Sequence, residues 1–522
     1  MLTSSSNRLV FGAVAFAVLT LTLPRPGRAQ VVTPPPPPAP AQAQTTGPAT
    51  VPLSLSMDQA VTMALETSLG LKSERMNVDI AAQSIVSAKS AFLPFTTSSF
   101  SRNSLTSPSQ NFADGTSSIT ASNSLSATGG IQQRLPWYGN SYQLTWIGNR
   151  AETPGAQSST FNPRTSSTLR LDVSQPLWQG LKIDANRASL ERTERQQVIS
   201  DLQLQQRVVG LEASVRTAYL GYVASIEARK VAQQNMDLAQ QSLSNARARV
   251  AVGQAPQIDI ITSEATVESF REQLILADAS IEQTEDNLRS QVLDPNRPDY
   301  WQVHIEPTDQ IRLTQRQIDE PSIIQNALAN RLDLLSLKRS MEITDLNLKL
   351  NKDLTKPSVD LQMTYQATGS GGTLTTGQPG RGFGGVLGDA FSGAYPEWTW
   401  GVNFGYPLGR SSAQAAVVQN ELTKKQQTLN QHDLEIAIVQ DVRQAARDVR
   451  TTWQRVQATQ AARQASERQL DAEQRKFEVG LTDTFTLQSR QRDFASARIN
   501  ELNAIIAYNR SLIELERVQK IR

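Results

Sequence analysis

Of its 522 residues the chain spends none on cysteine and only two on histidine. The first absence excludes disulfides, thiolate metal sites and an N-terminal lipid-modified cysteine. The second leaves His304 and His432, too few for most metal chemistry. Charge of one sign is lacking too: 51 Lys and Arg stand against 49 Asp and Glu, for a net charge of +2. That gives no bulk electrostatic case for nucleic acid. Beyond residue 23 no apolar run reaches the length of a membrane helix. Glycine and proline are missing from long stretches: 71–93, 257–294, 322–356, 410–479 and 481–522.

These breaker-free stretches predict long helices. The longest would run continuously for about 70 residues, roughly 105 Å, more than a globular domain needs. Within it Ile438, Val442, Ala445, Val449, Trp453 and Val456 follow one another at steps of three and four. That is the narrow seam of a coiled coil rather than a globular face. The stretch 181–252 is similar but holds Gly210 and Gly221, where a weak point is expected.

The N-terminus reads as an export signal. Arg8 precedes a largely apolar run, Leu9 to Leu23, and the small-residue site Gly27–Arg28–Ala29 lies beyond it. Cleavage is expected near Ala29. A single membrane anchor is the other reading, for which the run is short. Residues 30–52 are Pro-rich, with Pro34 to Pro38 unbroken, and predict a stiff extended segment.

The chain also repeats itself. Residues 64–94 align with 327–357 at an offset of 263: Ala64, Leu69 and Pro94 fall on Ala327, Leu332 and Pro357. The echo continues through Pro176–Leu177 and Pro407–Leu408, then through breaks at Val252–Gly253 and Val479–Gly480. This divides the chain into a first repeat (53–294; strands about 94–176, long helices 181–294), a crossover (295–320) and a second repeat (321–522; strands about 358–407, long helices 410–520).

Strands are marked by alternation. Trp398, Trp400, Val402, Phe404 and Tyr406 alternate with Thr399, Gly401, Asn403 and Gly405. Leu169, Leu171 and Val173 do the same, as do Val359, Leu361, Met363 and Tyr365. The pattern fits a half-buried soluble sheet or a membrane barrel with lipid outside; export and aromatics near strand ends favour the barrel. Gly/Ser/Thr-rich loops are expected at 102–118 and 368–396. One rising and one falling strand per repeat gives four per chain. Four cannot close a membrane barrel, so three copies would supply twelve. A further pair at 119–133 and 141–150, turning at Leu135–Asn140, either joins the barrel or folds beside it.

Gly380, Gly382 and Gly385 spell G-x-G-x-x-G, but the stretch from Val386 to Glu397 makes a poor helix, so a loop is expected and no dinucleotide site. The pair His432 and Glu435 has no further His nearby, and no metal or cofactor is expected. No nucleophile–base set stands out, so no enzyme is expected.

Export signal, duplication, paired strands and very long helices together resemble the TolC-like outer-membrane efflux proteins. The local signatures are SQPLWQG at 174–180, GYPLGR at 405–410, RARVAVGQAPQIDI at 247–260 and RKFEVGLTDTFTL at 475–487. The resemblance implies a mainly α fold with a β-barrel part. Duplicated coiled-coil helices would form a trimeric periplasmic tunnel, capped by a twelve-stranded outer-membrane barrel built from three chains. It further implies a passive exit duct for tripartite efflux or type I secretion. The implied partners are a homotrimer's other copies, a periplasmic adaptor, an inner-membrane RND or ABC-type pump and outer-membrane lipid.

By the same resemblance the helix breaks are adaptor-contact tips. Val479, Gly480, Leu481 and Thr482 match the family's VGL[ST] pattern in full, whereas in the first repeat only Val252 and Gly253 do. Acidic residues just past each break narrow the pore in relatives. Asp259 matches that position, while its second-repeat counterparts are Thr486 and Ser489, with Asp483 off register. The strong acidic ring of some relatives is therefore not expected. Trp398, Trp400, Val402, Phe404 and Tyr406 are expected to face lipid. The alternative is a periplasmic coiled-coil adaptor or scaffold without a barrel, against which the duplication of both strands and hairpins argues.

Overall fold

The computed structural model of the chain describes residues 51–108, 119–153, 160–309, 313–409 and 411–519, all within the unit Thr50–Arg522. The expected signal peptide and most of the Pro-rich segment lie outside the described residues. The first repeat comprises β1 (Val51–Leu55), α1 (Met57–Thr67), α2 (Leu69–Ser90), β2 (Phe95–Pro108), β3 (Ile119–Arg134), β4 (Ser141–Glu152), β5 (Phe161–Pro176), α3 (Ala185–Ala251) and α4 (Ile258–Val292). Then come β6 (Val303–Pro307), α5 (Glu320–Asn330), α6 (Leu332–Leu354), β7 (Ser358–Leu374), α7 (Phe383–Ser392), β8 (Pro396–Gly405), α8 (Ser412–Glu478) and α9 (Thr484–Gln519).

The duplication holds in backbone detail. Both long first helices, α3 and α8, have 67 residues, about 100 Å each. The helix pair before each set of strands breaks at matched residues, Ser68 and Arg331, with similar dihedrals (φ −52°, ψ 118° and φ −60°, ψ 129°). The uninterrupted helix expected over 322–356 is thus corrected. The Arg331 guanidinium at that break is held by Asp333 (2.6 Å) and Asp441 (3.1 Å). The weak point expected at Gly210 and Gly221 is corrected too, because α3 runs through both. A helical glycine costs only about 1 kcal/mol relative to alanine, and α3 packs along α2, α4, α6 and α9.

Each repeat owns a core. One gathers Leu55, Ala60, Val215, Tyr219, Leu288 and Ile305; the other gathers Ala327, Leu334, Ile438, Val442, Tyr508 and Leu515. The predicted seam is buried: Ile438, Val442, Ala445, Val449 and Val456 are all 4 % exposed or less. Trp453 tilts against Tyr508, ring centroids 5.1 Å apart. Each buried Ile or Val of the seam contributes about 1.5–3 kcal/mol.

The crossover is more ordered than a linker. Its strand β6 pairs in parallel with β1. The Tyr219 hydroxyl donates to Leu55 O (2.9 Å) and the Tyr222 hydroxyl to Ile305 O (2.7 Å). The buried Glu285 carboxylate accepts from the Ile305 N–H (2.9 Å) and from Arg289 (3.0 Å).

The larger sheet departs most from expectation. Its order is β2-β3-β4-β5-β7-β8, every neighbour antiparallel, so among the described residues six strands replace the four counted from the repeats. The additional pair joins the sheet. β2 extends through Pro108, so residues 102–108, expected as loop, are strand; 109–118 lie outside the described residues. Apolar positions align in rows across strands, as in Ile131–Leu144–Leu171–Tyr365–Trp398. The adjoining row, on the opposite face, is Gln132–Gln143–Asp172–Thr364–Thr399. Period two forces that separation.

The loop expected at 368–396 is likewise corrected: β7 continues to Leu374, and α7 comes after it. This helix forms despite Gly384, Gly385 and Gly388 because tertiary packing overrides propensity. Val386 and Ala390 are buried against β7. Gly369 makes the seat, since a Cβ there would come 2.0 Å from the Val386 carbonyl oxygen. G-x-G-x-x-G therefore does sit between a strand and a helix. β7 and β8 are antiparallel hairpin partners, however, not the parallel strands of a dinucleotide-binding crossover.

Candidate functional site

The two hairpin tips are built alike. α3 ends at Val252 (φ −96°, ψ 9°) and α8 at Val479 (φ −93°, ψ 7°). Gly253 (φ +72°) and Gly480 (φ +76°) then enter the left-handed region. Gly253 N–H donates to Val250 O (3.0 Å) and Gln254 N–H to Arg249 O (2.9 Å). In the second copy Gly480 N–H donates to Phe477 O (3.1 Å) and Leu481 N–H to Lys476 O (2.9 Å). Both are Schellman closures, which satisfy the carbonyls a helix end leaves open. A Cβ on either glycine would meet nothing within 4 Å, so dihedral angle rather than space calls for glycine here.

The tips present apolar side chains to solvent. Val252, Val479 and Leu481 are 67, 69 and 77 % exposed, and Ile258 and Phe485 beside them are also exposed. The second tip is braced electrostatically. Glu473 is held below the usual carboxylate range by the Thr482 hydroxyl first, then by Lys476. Asp483 is held low by the backbone N–H of Thr486, which donates to its Oδ1 over 2.7 Å.

The two copies touch at their tips. Arg249 Nη1 donates to Phe477 O (3.1 Å), and its guanidinium lies 4.3 Å over the Phe477 ring. Asp259 accepts from the Thr484 hydroxyl (2.7 Å). A polar ladder continues up α4 and α9: Gln488 Nε2 donates to Ser263 Oγ (2.9 Å) and Thr266 Oγ1 to Gln488 Oε1 (3.1 Å). Among the described residues no hydrogen bond joins Asp259 to Thr486 or Ser489, which are half-buried on α9. The sequence-derived aperture set is thus split. Asp259 has a partner in the other copy, but that partner is Thr484.

At the strand end of the chain Trp398, Trp400, Val402, Phe404 and Tyr406 are between 50 and 71 % exposed. All but Tyr406, just past β8, share one face of β8, and Met363 and Tyr365 of β7 extend the patch. On the opposite face Arg170 forks onto Asp172 (2.7 and 2.8 Å), and Thr364 donates to Asp172 (2.7 Å). Among the described residues no helix is long and apolar enough to cross a membrane. No group of His, Cys, Asp and Glu among them is placed to hold a metal.

The sequence model of the family described as Outer membrane efflux protein matches residues 60–292 and 323–518. The chain belongs to the outer membrane efflux protein family. The two matched segments lie on either side of β6. No curated protein sequence matches the chain. Among solved structures this efflux protein is similar to the CmeC outer membrane channel of Campylobacter jejuni, at 16 % identity and TM-score 0.65, covering 89 % of this chain and 85 % of that one. It is also similar to the outer membrane protein VceC of Vibrio cholerae, at 13 % identity and TM-score 0.64, covering 89 and 95 %. At such identities the likeness establishes the fold.

Sequence reasoning overlooked Ser263, Thr266, Thr484 and Gln488 in this efflux protein, all buried polar residues. A signal existed: all four are polar, spaced three or four residues apart on two helices that open just past matched tips.

Proposed function

We propose that the chain is the outer-membrane channel of a tripartite efflux or type I secretion system. Three copies form a passive duct for substrates handed over by a periplasmic adaptor and an inner-membrane RND or ABC-type pump. The observation that carries this reading is the sheet, whose two edges are unpaired among the described residues and whose one face is broadly aromatic and exposed, fused to two hairpins about 100 Å long. Open edges are not tolerated in lipid, so the sheet closes only with other copies of itself. Trp398, Trp400, Val402 and Phe404 then face lipid and the opposite face lines water; Tyr406 lies just beyond the strand, at the lipid boundary.

The helical hairpins hang into the periplasm in this arrangement. Val252, Gly253, Val479, Gly480, Leu481 and Thr482 form the adaptor contact, because the apolar side chains of Val252, Val479 and Leu481 are exposed on closed turns. Asp259 helps hold the periplasmic aperture shut through Thr484, with Thr486 and Ser489 lining it. Helices packed in pairs slide past one another by small steps, which is how such an end opens.

The chain's lack of cysteine makes the test clean. Leu481→Cys, carrying a short thiol crosslinker, is expected to capture an adaptor's helical hairpin in intact cells and to migrate as a trimer before heating. A monomer released by osmotic shock would refute the reading.

A further inference from the structure

We infer that the hairpin β3–β4 widens the barrel of this protein, so that three copies close eighteen strands rather than twelve. The inference rests on the trimeric channel proposed above and departs from the four-strand protomer that the family resemblance implies.

The hairpin is an insertion in one copy of the repeat. Pro94 and Pro176 are 82 residues apart, whereas their counterparts Pro357 and Pro407 are 50 apart. The net excess of 32 is close to the length of the segment Ile119–Glu152. The hairpin is not appended at an edge, since it lies between β2 and β5. β2 pairs with β3 along its whole length, from Phe95↔Gln132 to Pro108↔Ile119. β4 pairs with β5 from Ser141↔Ser174 to Ala151↔Arg164. Removing the hairpin from the sheet would break both ladders and require β2 and β5, which also run antiparallel, to pair anew.

The insertion also carries the alternation a barrel strand needs. Tyr142, Leu144 and Trp146 stand opposite Val173, Leu171 and Leu169, the apolar face of β5. Gln143 and Thr145 stand opposite Asp172 and Arg170, the polar face. A hairpin folded beside the barrel in water has no reason to keep both faces in register with its neighbours. The turn joining its strands exposes Trp137 and Tyr138, the aromatic pair expected where a barrel strand leaves the bilayer.

Closure is geometrically consistent. Six is even and all neighbours are antiparallel, so β8 of one copy runs antiparallel to β2 of the next. Barrel diameter grows about linearly with strand number, which makes this barrel roughly one and a half times as wide as a twelve-stranded one. Barrels of 16 to 18 strands leave an aqueous channel. Its lining is mostly polar and balanced in charge: Ser, Thr and Gln, with Arg134, Arg164 and Arg170 on the same face as Asp172, Asp360 and Glu397. The outer exit thus passes bulky hydrated cargo, and size selection falls to the helical tunnel.

The test is electron cryomicroscopy of the full chain, purified from outer membranes into lipid nanodiscs, joined to disulfide trapping of Ser101→Cys with Ser126→Cys and of Ser141→Cys with Ser174→Cys. Eighteen strands around a three-fold axis, with both intrachain disulfides formed in the membrane-embedded protein, are expected. A trimer with twelve strands and residues 119–152 outside the bilayer overturns the inference alone. A particle that is not a trimer, or is absent from the outer membrane, overturns the channel reading and this inference with it.

Discussion

The Thr484 hydroxyl donates to the Asp259 carboxylate over 2.7 Å, joining the first turn of α4 to the first turn of α9. The two residues come from different copies of the repeat, so the bond ties one hairpin tip to the other. α3 with α4 and α8 with α9 pack along their lengths, whereas α4 and α9 meet at few places. In the proposed channel, separating the two tips would break this bond, the ladder behind it and the Arg249–Phe477 contact.

Asp259→Ala removes that tie. A hydrogen bond to a charged group, discounted for the half-exposed carboxylate, contributes about 1 kcal/mol, which corresponds to a roughly fivefold rise in open population per protomer. Planar-bilayer recordings of the purified channel are expected to show higher single-channel conductance or longer openings. Thr484→Val is expected to do the same, and unchanged recordings in both variants would remove Asp259 from the aperture.

At the tip, chemistry and backbone separate. Leu481→Asp is expected to abolish adaptor co-purification and transport while heat-modifiable trimers persist, because the side chain is exposed and supports no core. Gly480→Ala keeps the open space but forces a Cβ into φ +76°, at about 1–2 kcal/mol. Gly480→Asn, better tolerated in that region, is expected to bind adaptor better than Gly480→Ala. Full transport by both Leu481→Asp and Gly480→Ala would sink the tip assignment.

Much of the fold was legible because long-range order here repeats local pattern. The 3-4 seam from Ile438 to Val456 and the period-two stretch from Trp398 to Phe404 each report their own burial or face. The illegible parts depend on partners distant in sequence. α7 looks like a poor helix until Gly369 and Gly371 provide its seat. The break at Arg331 involves Asp441, 110 residues away. The ladder partner of Asp259, Thr484, sits two residues before Thr486, the position that repeat alignment picks, so the bond joins the two copies at unequal depths from their tip glycines.

The anchors of β1 and β6 can be weighed by deletion of single hydroxyls. Burial pushes the Tyr222 phenol well above its ordinary range, so it remains a donor to Ile305 O at any physiological pH. Tyr222→Phe leaves that carbonyl unpaired in the interior, at about 1–3 kcal/mol. Faster chymotrypsin cleavage after Tyr300 or Trp301, with normal barrel insertion, is expected. Cleavage at the wild-type rate would mean that β6 is held without this hydroxyl, by its pairing with β1 and its bonds to Glu285 and Arg289.

The α7 seat has no slack. Gly369→Ala places a methyl where the Val386 carbonyl now lies, so the helix must lift from β7 or the strand must shift. In a Val386→Cys background, maleimide labelling of intact cells is expected to rise several-fold on adding Gly369→Ala, whereas Gly388→Ala, which meets nothing within 4 Å, should leave it unchanged. Equal labelling in all three would show that α7 is not clamped on the sheet.

The face assignment of β8 can be read from two neighbouring residues. Trp400 and Thr399 differ by one position and therefore point to opposite sides of the sheet. An arginine on the lipid side near the bilayer midplane costs about 2–4 kcal/mol, whereas one on the water side is tolerated. Trp400→Arg is thus expected to lower the yield of folded, heat-modifiable trimer and its resistance to urea in vesicles. Thr399→Arg is expected to assemble normally and to shift ion selectivity toward anions. The reverse pattern would turn the sheet inside out, putting the aromatic row in the lumen and the Gln132–Thr399 row against lipid.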